Sequence, residues 1–168
     1  MQIRLAGVVP ESIVDGPGYR CAVFVQGCPH NCPGCHNPAT HDFAGGYLAD
    51  TQEITGKLGQ NPLVRGVTLT GGEPMMQPLP MAEIAAAAKQ KGLSVWCYTG
   101  YTLERLLEEE NPDRMALLSH VDVLVDGPYL SHERSLDLLY CGSRNQRLID
   151  MNRTREAGEI CLFVPDVW

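Results

Sequence analysis

The chain has 168 residues, of which 44% are hydrophobic, and this size and composition fit one compact domain covering residues 1–168 and exclude a disordered chain. Thirteen Lys and Arg against twenty Asp and Glu leave a formal net charge of −7. A negative field repels phosphate backbones and anionic lipids, so we expect neither nucleic acid nor a membrane as a partner. With no apolar run of about 20 residues and no recognisable signal peptide, the predicted location is cytoplasmic.

Short apolar runs alternate with helical patterns along the chain. The predicted strands cover 20–25, 66–70, 93–98 and 121–125, and the predicted helices cover 50–58, 79–91 and 102–110. Asp50 is the predicted N-cap of the first helix, with Glu53 completing a capping box. Gly92 ends the second helix, and Pro112 stops the third. In a C-terminal tail of about 147–168, segments 147–150 and 159–164 are predicted to form a final strand pair.

The order of strands and helices predicts parallel strands joined by right-handed crossovers. About four or five such units are too few to close an eight-stranded barrel, so the predicted fold class is α/β, an open partial (β/α) barrel of parallel strands. Such folds bind ligands beyond the carboxyl ends of the strands. Unusual motifs follow each predicted strand: a cysteine-rich loop at about 26–46, then 71–74, 98–101 and 126–128. We therefore expect one composite site.

Three cysteines, Cys28, Cys32 and Cys35, lie in one short loop rich in Pro and Gly. Thiolates favour soft metals and iron–sulfur clusters, and cysteines of a cytoplasmic chain rarely form disulfides. The spacing favours a cluster held by three cysteines. It leaves open a zinc site completed by His36 or His41, a dithiol redox pair, and haem attachment. A [4Fe–4S] cube with three cysteine ligands keeps one iron open, which can chelate the amino and carboxylate groups of S-adenosylmethionine.

These motifs together resemble a known superfamily. The pattern Cys-x3-Cys-x2-Cys after the first predicted strand, followed by GGEP at 71–74 after the second, resembles the radical S-adenosylmethionine superfamily. The motif DGPGYR at 15–20 resembles the glycyl-radical-enzyme activases. The segments VWCYTGYT at 95–102, VLVDGPY at 123–129 and GSRNQR at 142–147 are similar to the activases of anaerobic ribonucleoside-triphosphate reductases. The resemblance covers about residues 10–150 and implies a truncated barrel of the radical S-adenosylmethionine type.

The resemblance implies a role for each motif residue. Cys28, Cys32 and Cys35 are the expected ligands of a single [4Fe–4S] cluster. Many members carry an aromatic residue where this chain has Gly34, and His36 is expected to stack on adenine instead. Glu73 is the expected acceptor for the ammonium group of S-adenosylmethionine. The full set of expected cofactor contacts is His36, Gly71, Gly72, Glu73, Thr99, Gly100 and Asp126. For Asp126 a structural capping role is an equal alternative.

A partner protein is also implied. Its expected contacts are Arg20, Arg144, Asn145, Gln146 and Arg147. A structural role for Arg20 and a solvated loop at 144–147 are the alternatives. The four remaining cysteines, Cys21, Cys97, Cys141 and Cys161, are expected to fill the core, with Cys141 the least certain of them.

The implied reaction begins when a one-electron donor such as flavodoxin reduces the cluster. S-adenosylmethionine is then cleaved to methionine and a 5′-deoxyadenosyl radical. This radical abstracts hydrogen from a glycine Cα of anaerobic ribonucleoside-triphosphate reductase. Oxygen quenches such radicals, so we expect anaerobic function. The alternatives are an activase of another glycyl radical enzyme of the pyruvate formate-lyase type, a radical enzyme acting on a small molecule, and a non-catalytic metal-binding module.

Overall fold

One mixed β-sheet organises residues 1–165, the part of the chain that the computed structural model describes. Its strands are β1 (Gln2–Ser12), β2 (Tyr19–Val25), β3 (Tyr47–Asp50), β4 (Val64–Gly71), β5 (Ser94–Tyr98), β6 (Val123–Asp126) and β7 (Arg147–Asp150). Across the sheet they lie in the order β3-β1-β2-β4-β5-β6-β7. The four central strands β2, β4, β5 and β6 are parallel, whereas β1, β3 and β7 pair antiparallel with their neighbours.

Five α-helices connect or follow the strands in the described part of the chain. They are α1 (Thr51–Thr55), α2 (Pro78–Gln90), α3 (Leu103–Glu109), α4 (Pro112–Leu118) and α5 (Met151–Ala157). Polar side chains cap most of their starts: Asp50 accepts from the N–H of Gln52, and Thr102 accepts from that of Arg105. Within residues 1–165, no helix has both the length and the apolar character that crossing a membrane requires.

The parallel strands are covered on both faces, which explains their nearly unbroken apolar sequences. On one face, Val67, Val95 and Leu124 belong to a large core cluster that includes Ile84 and Leu117 from α2 and α4. The other face carries a smaller cluster, formed by Trp96, Val123, Val125 and Leu148, against which Tyr98, Tyr140, Cys141 and Phe163 pack. The second face leads to the site described below.

The predicted parallel strands and the helices between them are confirmed, but the flanking elements differ. The structure adds β1, β3, α4 and α5, which the sequence analysis did not predict. Pro112 was expected to stop a helix, and it does so by opening the next one, because its fixed φ suits the first helical position. Asp50 caps Gln52 rather than forming a box with Glu53, and α1 ends at Thr55.

The C-terminal tail is only partly as expected. Strand β7 at 147–150 exists, but it pairs along its length with β6. The predicted pairing with 159–164 shrinks to a single bridge between Ile149 and Leu162, because α5 intervenes. Residues 166–168 of the predicted tail lie outside the described residues.

We expect Ile84→Ala to lower the free energy of unfolding by about 2–5 kcal/mol, because Ile84 is fully buried in the α2–sheet interface and its loss leaves a cavity. Leu79→Ala in the same helix is the matched control. Leu79 is 43% exposed, so its truncation should cost under about 1 kcal/mol. Urea unfolding of both variants checks the prediction, and equal losses would contradict the described packing of α2.

Candidate functional site

A cavity of about 460 Å³ opens at the carboxyl ends of the parallel strands. One wall is the loop after β2, another is formed by the ends of β4 and β5, and the segment 127–146 closes a third side. The structure brings together these predicted site residues as lining of one cavity: Cys28, Cys32, Cys35, His36, Gly71, Gly72, Thr99, Gly100 and Gln146. Cys141, expected in the core, also lines it.

The cysteine loop is fastened to the sheet through its own backbone. The buried side chain of Gln26 donates to the carbonyls of Ala39 at 2.9 Å and Asp42 at 2.7 Å, and the N–H of Gly27 donates to Thr40 O at 2.7 Å. These bonds hold both ends of the loop at the end of β2. The cysteines are thereby presented from a defined base rather than from a freely moving segment.

Two glycines allow the cysteine loop to approach the end of β4 closely. Gly71 has φ +106°, a region that favours glycine, and a Cβ there would lie 2.4 Å from the backbone N of Val25. A Cβ at Gly72 would lie 2.4 Å from Gly27 O. Because backbone cannot move aside cheaply, no larger residue fits at either position. The GG pair therefore joins the end of β4 to the start of the cysteine loop.

The buried carboxylate of Glu73 is held by four donors of the chain itself. Its Oε1 accepts from Thr99 Oγ1 at 2.8 Å, from the N–H of Gly100 at 2.8 Å and from His30 Nε2 at 2.7 Å. Its Oε2 accepts from the N–H of Met75 at 2.9 Å. The ammonium contact expected for Glu73 stays a prediction. In this structure the carboxylate's visible work is to tie the end of β4 to the end of β5 and to the cysteine loop.

His30 is the site residue that the sequence analysis did not single out. Besides its bond to Glu73, its ring packs edge-on against Tyr101 with centroids 4.6 Å apart. A Cβ at Gly100 would lie 2.6 Å from this ring, so glycine is needed there for His30 to reach the carboxylate. The available signal was its position between Cys28 and Cys32.

Asp126 is buried beneath the cavity wall and does not line the cavity, although its neighbour Gly127 does. Its Oδ2 accepts from the N–H of Leu103 at the start of α3, and its Oδ1 accepts from Arg147 Nε at 3.0 Å. Hydrogen bonds to Asp126 and then to Glu104 raise the pKa of Arg147 above its ordinary value. The contacts visible here are those of the structural alternative, in which Asp126 positions α3 and takes up the guanidinium of Arg147.

The segment 142–146 folds into the wall of the cavity. Gln146 accepts through Oε1 from the N–H of Gly142 at 2.8 Å and donates through Nε2 to Gly127 O at 3.1 Å. Asn145 donates to Pro128 O at 2.6 Å. Arg144 is the exposed member of this predicted partner-binding set.

One predicted partner contact is wrong. Arg20 is only 1% exposed and donates solely to groups within the sheet and the β1–β2 loop, so it cannot touch a partner directly. None of its hydrogen-bond acceptors is a carboxylate, so it does not form the structural ion pair either. The cause is its place on β2, which directs the side chain into the interior of the sheet.

The donor set fits an iron–sulfur cluster. Three thiols share one cavity wall, and the N–H of Asn37 points to Cys35 Sγ at 3.4 Å, a contact that tunes cluster sulfurs. Burial raises the pKa of the Cys28 thiol, so ligation there has to release a proton. Within residues 1–165, no three His, Cys, Asp or Glu side chains converge on one metal ion. A cubane does not need such convergence, because each cysteine binds a different iron.

Residues 14–149 match the 4Fe-4S single cluster domain family, so the cavity belongs to the class of iron–sulfur proteins. The curated relatives are anaerobic ribonucleoside-triphosphate reductase-activating proteins. That of Vibrio cholerae is 36% identical over 146 residues, covering 82% of this chain and 91% of the relative. Those of Escherichia coli K12 and phage T4 are 34% and 35% identical, covering 82% and 84% of this chain and 92% and 90% of the relatives.

This chain belongs to the family of anaerobic ribonucleoside-triphosphate reductase-activating proteins. The resemblance that the motifs indicated is thereby confirmed. Among solved structures, that of QueE from Escherichia coli overlaps 61% of this chain and 54% of its own, with a TM-score of 0.45 and 21% identity, a likeness too weak to carry an argument.

We expect Glu73→Gln to lower the free energy of unfolding of the metal-free protein by about 1–3 kcal/mol, because the new amide sets its own N–H groups against the N–H donors around it. Glu108→Gln, on the exposed side of α3, is the matched control and should change stability by under about 0.5 kcal/mol. Anaerobic denaturant titration distinguishes them. Equal stability of the two variants would show that the four contacts to Glu73 do not form.

Proposed function

We propose that this protein uses a [4Fe–4S] cluster and S-adenosylmethionine to generate a glycyl radical on anaerobic ribonucleoside-triphosphate reductase. The observation that carries this proposal is the cavity in which three thiols face glycine-lined strand ends. Membership in a family whose relatives are named reductase-activating proteins supports the choice of target.

Cys28, Cys32 and Cys35 would each ligate one iron and leave the fourth iron open toward the cavity. When bound and reduced, the cluster supplies the electron that cleaves S-adenosylmethionine. The chain's own part is to hold the three thiols at the end of β2 and to keep one side of the cluster accessible to the ligand.

The rest of the cavity offers the features that S-adenosylmethionine needs. Gly71 and Gly72 expose backbone at the end of β4 with no side chain in the way. His36 and Tyr129 both line the cavity, and their ring centroids are 5.1 Å apart, which presents an aromatic surface for adenine. Because Thr99 Oγ1 and the N–H of Gly100 already donate to Glu73, these two residues would contact the ligand through other atoms.

The sheet is suited to a polypeptide substrate because it does not close. Its outermost strands, β3 and β7, lie at opposite ends of the strand order, which supports an open partial barrel. A loop of another protein can therefore reach the cavity from the side. Glycine is a suitable target because its Cα radical is stabilised between an amide and a carbonyl and no Cβ blocks access. The electron would come from a one-electron donor such as flavodoxin.

The deciding experiment mixes this protein anaerobically with S-adenosylmethionine, a reductant and the reductase, and measures electron paramagnetic resonance. We expect a glycyl radical doublet on the reductase and release of 5′-deoxyadenosine. Parallel samples contain pyruvate formate-lyase in place of the reductase. A doublet in those samples alone would assign the protein to the other class of glycyl radical enzyme.

We expect Cys28→Ala to lose both the cluster and the cleavage of S-adenosylmethionine, because the remaining two thiols cannot hold the cube in place. Cys161→Ala is the control. Cys161 does not line the cavity, and this variant should retain about four irons per chain. Iron analysis, visible absorption and 5′-deoxyadenosine release after anaerobic reconstitution check both variants. A Cys28→Ala protein with full iron content and cleavage would refute the ligand assignment.

A further inference from the structure

Arg20 is a buried guanidinium whose five N–H groups all have neutral acceptors. Nε donates to Thr68 Oγ1 at 2.9 Å, and Nη2 donates to Val67 O and Ser94 O, both at 3.0 Å. Nη1 donates to Ser94 Oγ at 2.9 Å and to Pro17 O at 3.4 Å. Burial lowers the pKa of Arg20 to about 10, so it remains charged at neutral pH. Such a costly buried charge calls for a reason beyond filling space.

The neighbouring residues leave room for this side chain. A Cβ at Gly66 would lie 2.3 Å from Arg20 Nη1, and one at Gly16 would lie 2.8 Å from Arg20 Cδ. The ring of Trp96 faces the guanidinium at 5.7 Å. Two glycines and an aromatic ring thus form the site into which only an extended side chain from β2 reaches.

The guanidinium holds the loop between β1 and β2, residues 13–18. Thr68 Oγ1 accepts from Arg20 Nε and donates to Asp15 O at 2.6 Å, so Thr68 links Arg20 to this loop. The bond from Nη1 to Pro17 O is a second, direct attachment. The loop is therefore fastened to β4 at two backbone carbonyls.

The loop presents apolar side chains at the edge of the site. Val14 and Asp15 line the cavity, and Ile13 and Val14 are 67% and 74% exposed. Across the cavity Leu138 lines the wall, and its neighbour Leu136 is 86% exposed. Exposed apolar side chains grouped around one opening are typical of a surface that another protein covers.

We propose that Arg20 is a positioning residue that holds loop 13–18 as a rigid ledge, on which the reductase polypeptide docks while its glycine enters the cavity. This inference rests on the proposed function. A ledge fixed in advance spares the complex the entropy of ordering it on binding. Releasing the ledge should therefore weaken docking of the polypeptide and leave the chemistry at the cluster unchanged.

Thr68→Val tests the link with the smallest change, because valine keeps the shape of threonine and removes both hydrogen bonds. Thr51→Val is the matched control: Thr51 is equally buried, and its hydroxyl donates to Glu83 on the far side of α1 from the ledge. In the variant Thr68→Val we expect amide hydrogen exchange of residues 13–18 to quicken about tenfold. The KM for the reductase should rise about tenfold, with 5′-deoxyadenosine release in the absence of reductase unchanged. Thr51→Val should match the wild type in all three.

Arg20→Lys separates charge from geometry. Lysine keeps the positive charge but has only three donors on one nitrogen, so it cannot reach Thr68, Ser94 and Pro17 together. We expect it to behave as Thr68→Val does, and wild-type behaviour would overturn the proposal. So would faster exchange with an unchanged KM, an unchanged exchange rate, or a parallel loss of cleavage without reductase. If the wild-type protein cleaves S-adenosylmethionine but never produces a radical on the reductase, the proposed function itself fails.

Discussion

The site depends on one buried carboxylate. Glu73 collects donors from the cysteine loop, from the end of β5 and from its own turn after β4, and these segments are far apart in the chain. A buried carboxylate is costly unless it is fully hydrogen-bonded, so the four contacts form together or the arrangement loses much of its stability. Because His30 lies between two of the cysteines, the same carboxylate sets where the thiols stand relative to the strand ends.

Glycine is as important as the polar groups in this arrangement. Gly71 and Gly72 let two backbone segments meet at the end of β4, and Gly100 lets the His30 ring reach Glu73. Gly66 leaves space for the guanidinium of Arg20 on the opposite stretch of the same sheet. Each contact is a close approach that a Cβ would prevent, which gives a physical reason for the glycine-rich motifs.

The two buried polar centres have separate consequences for function. Glu73 organises the end of the sheet where the cysteines lie, and Arg20 organises the loop that borders the entrance to the cavity. The first bears on holding a cluster and its ligand, and the second on admitting a polypeptide. An open sheet with antiparallel strands at its edges leaves a path for such a polypeptide between them.

The sequence by itself determined the central strands, the helices between them and the grouping of motifs at the strand ends. These depend on local periodicity and on the rule that parallel strands share one carboxyl edge. Only the tertiary structure showed that β1, β3 and β7 complete the sheet, that Asp126 pairs with Arg147, and that Arg20 is buried. The reason is that a polar side chain's role depends on which donor or acceptor it meets, and here those partners lie 20 to 75 positions away along the chain, as with Arg147 and Asp126 (|i−j| = 21) or Arg20 and Ser94 (|i−j| = 74).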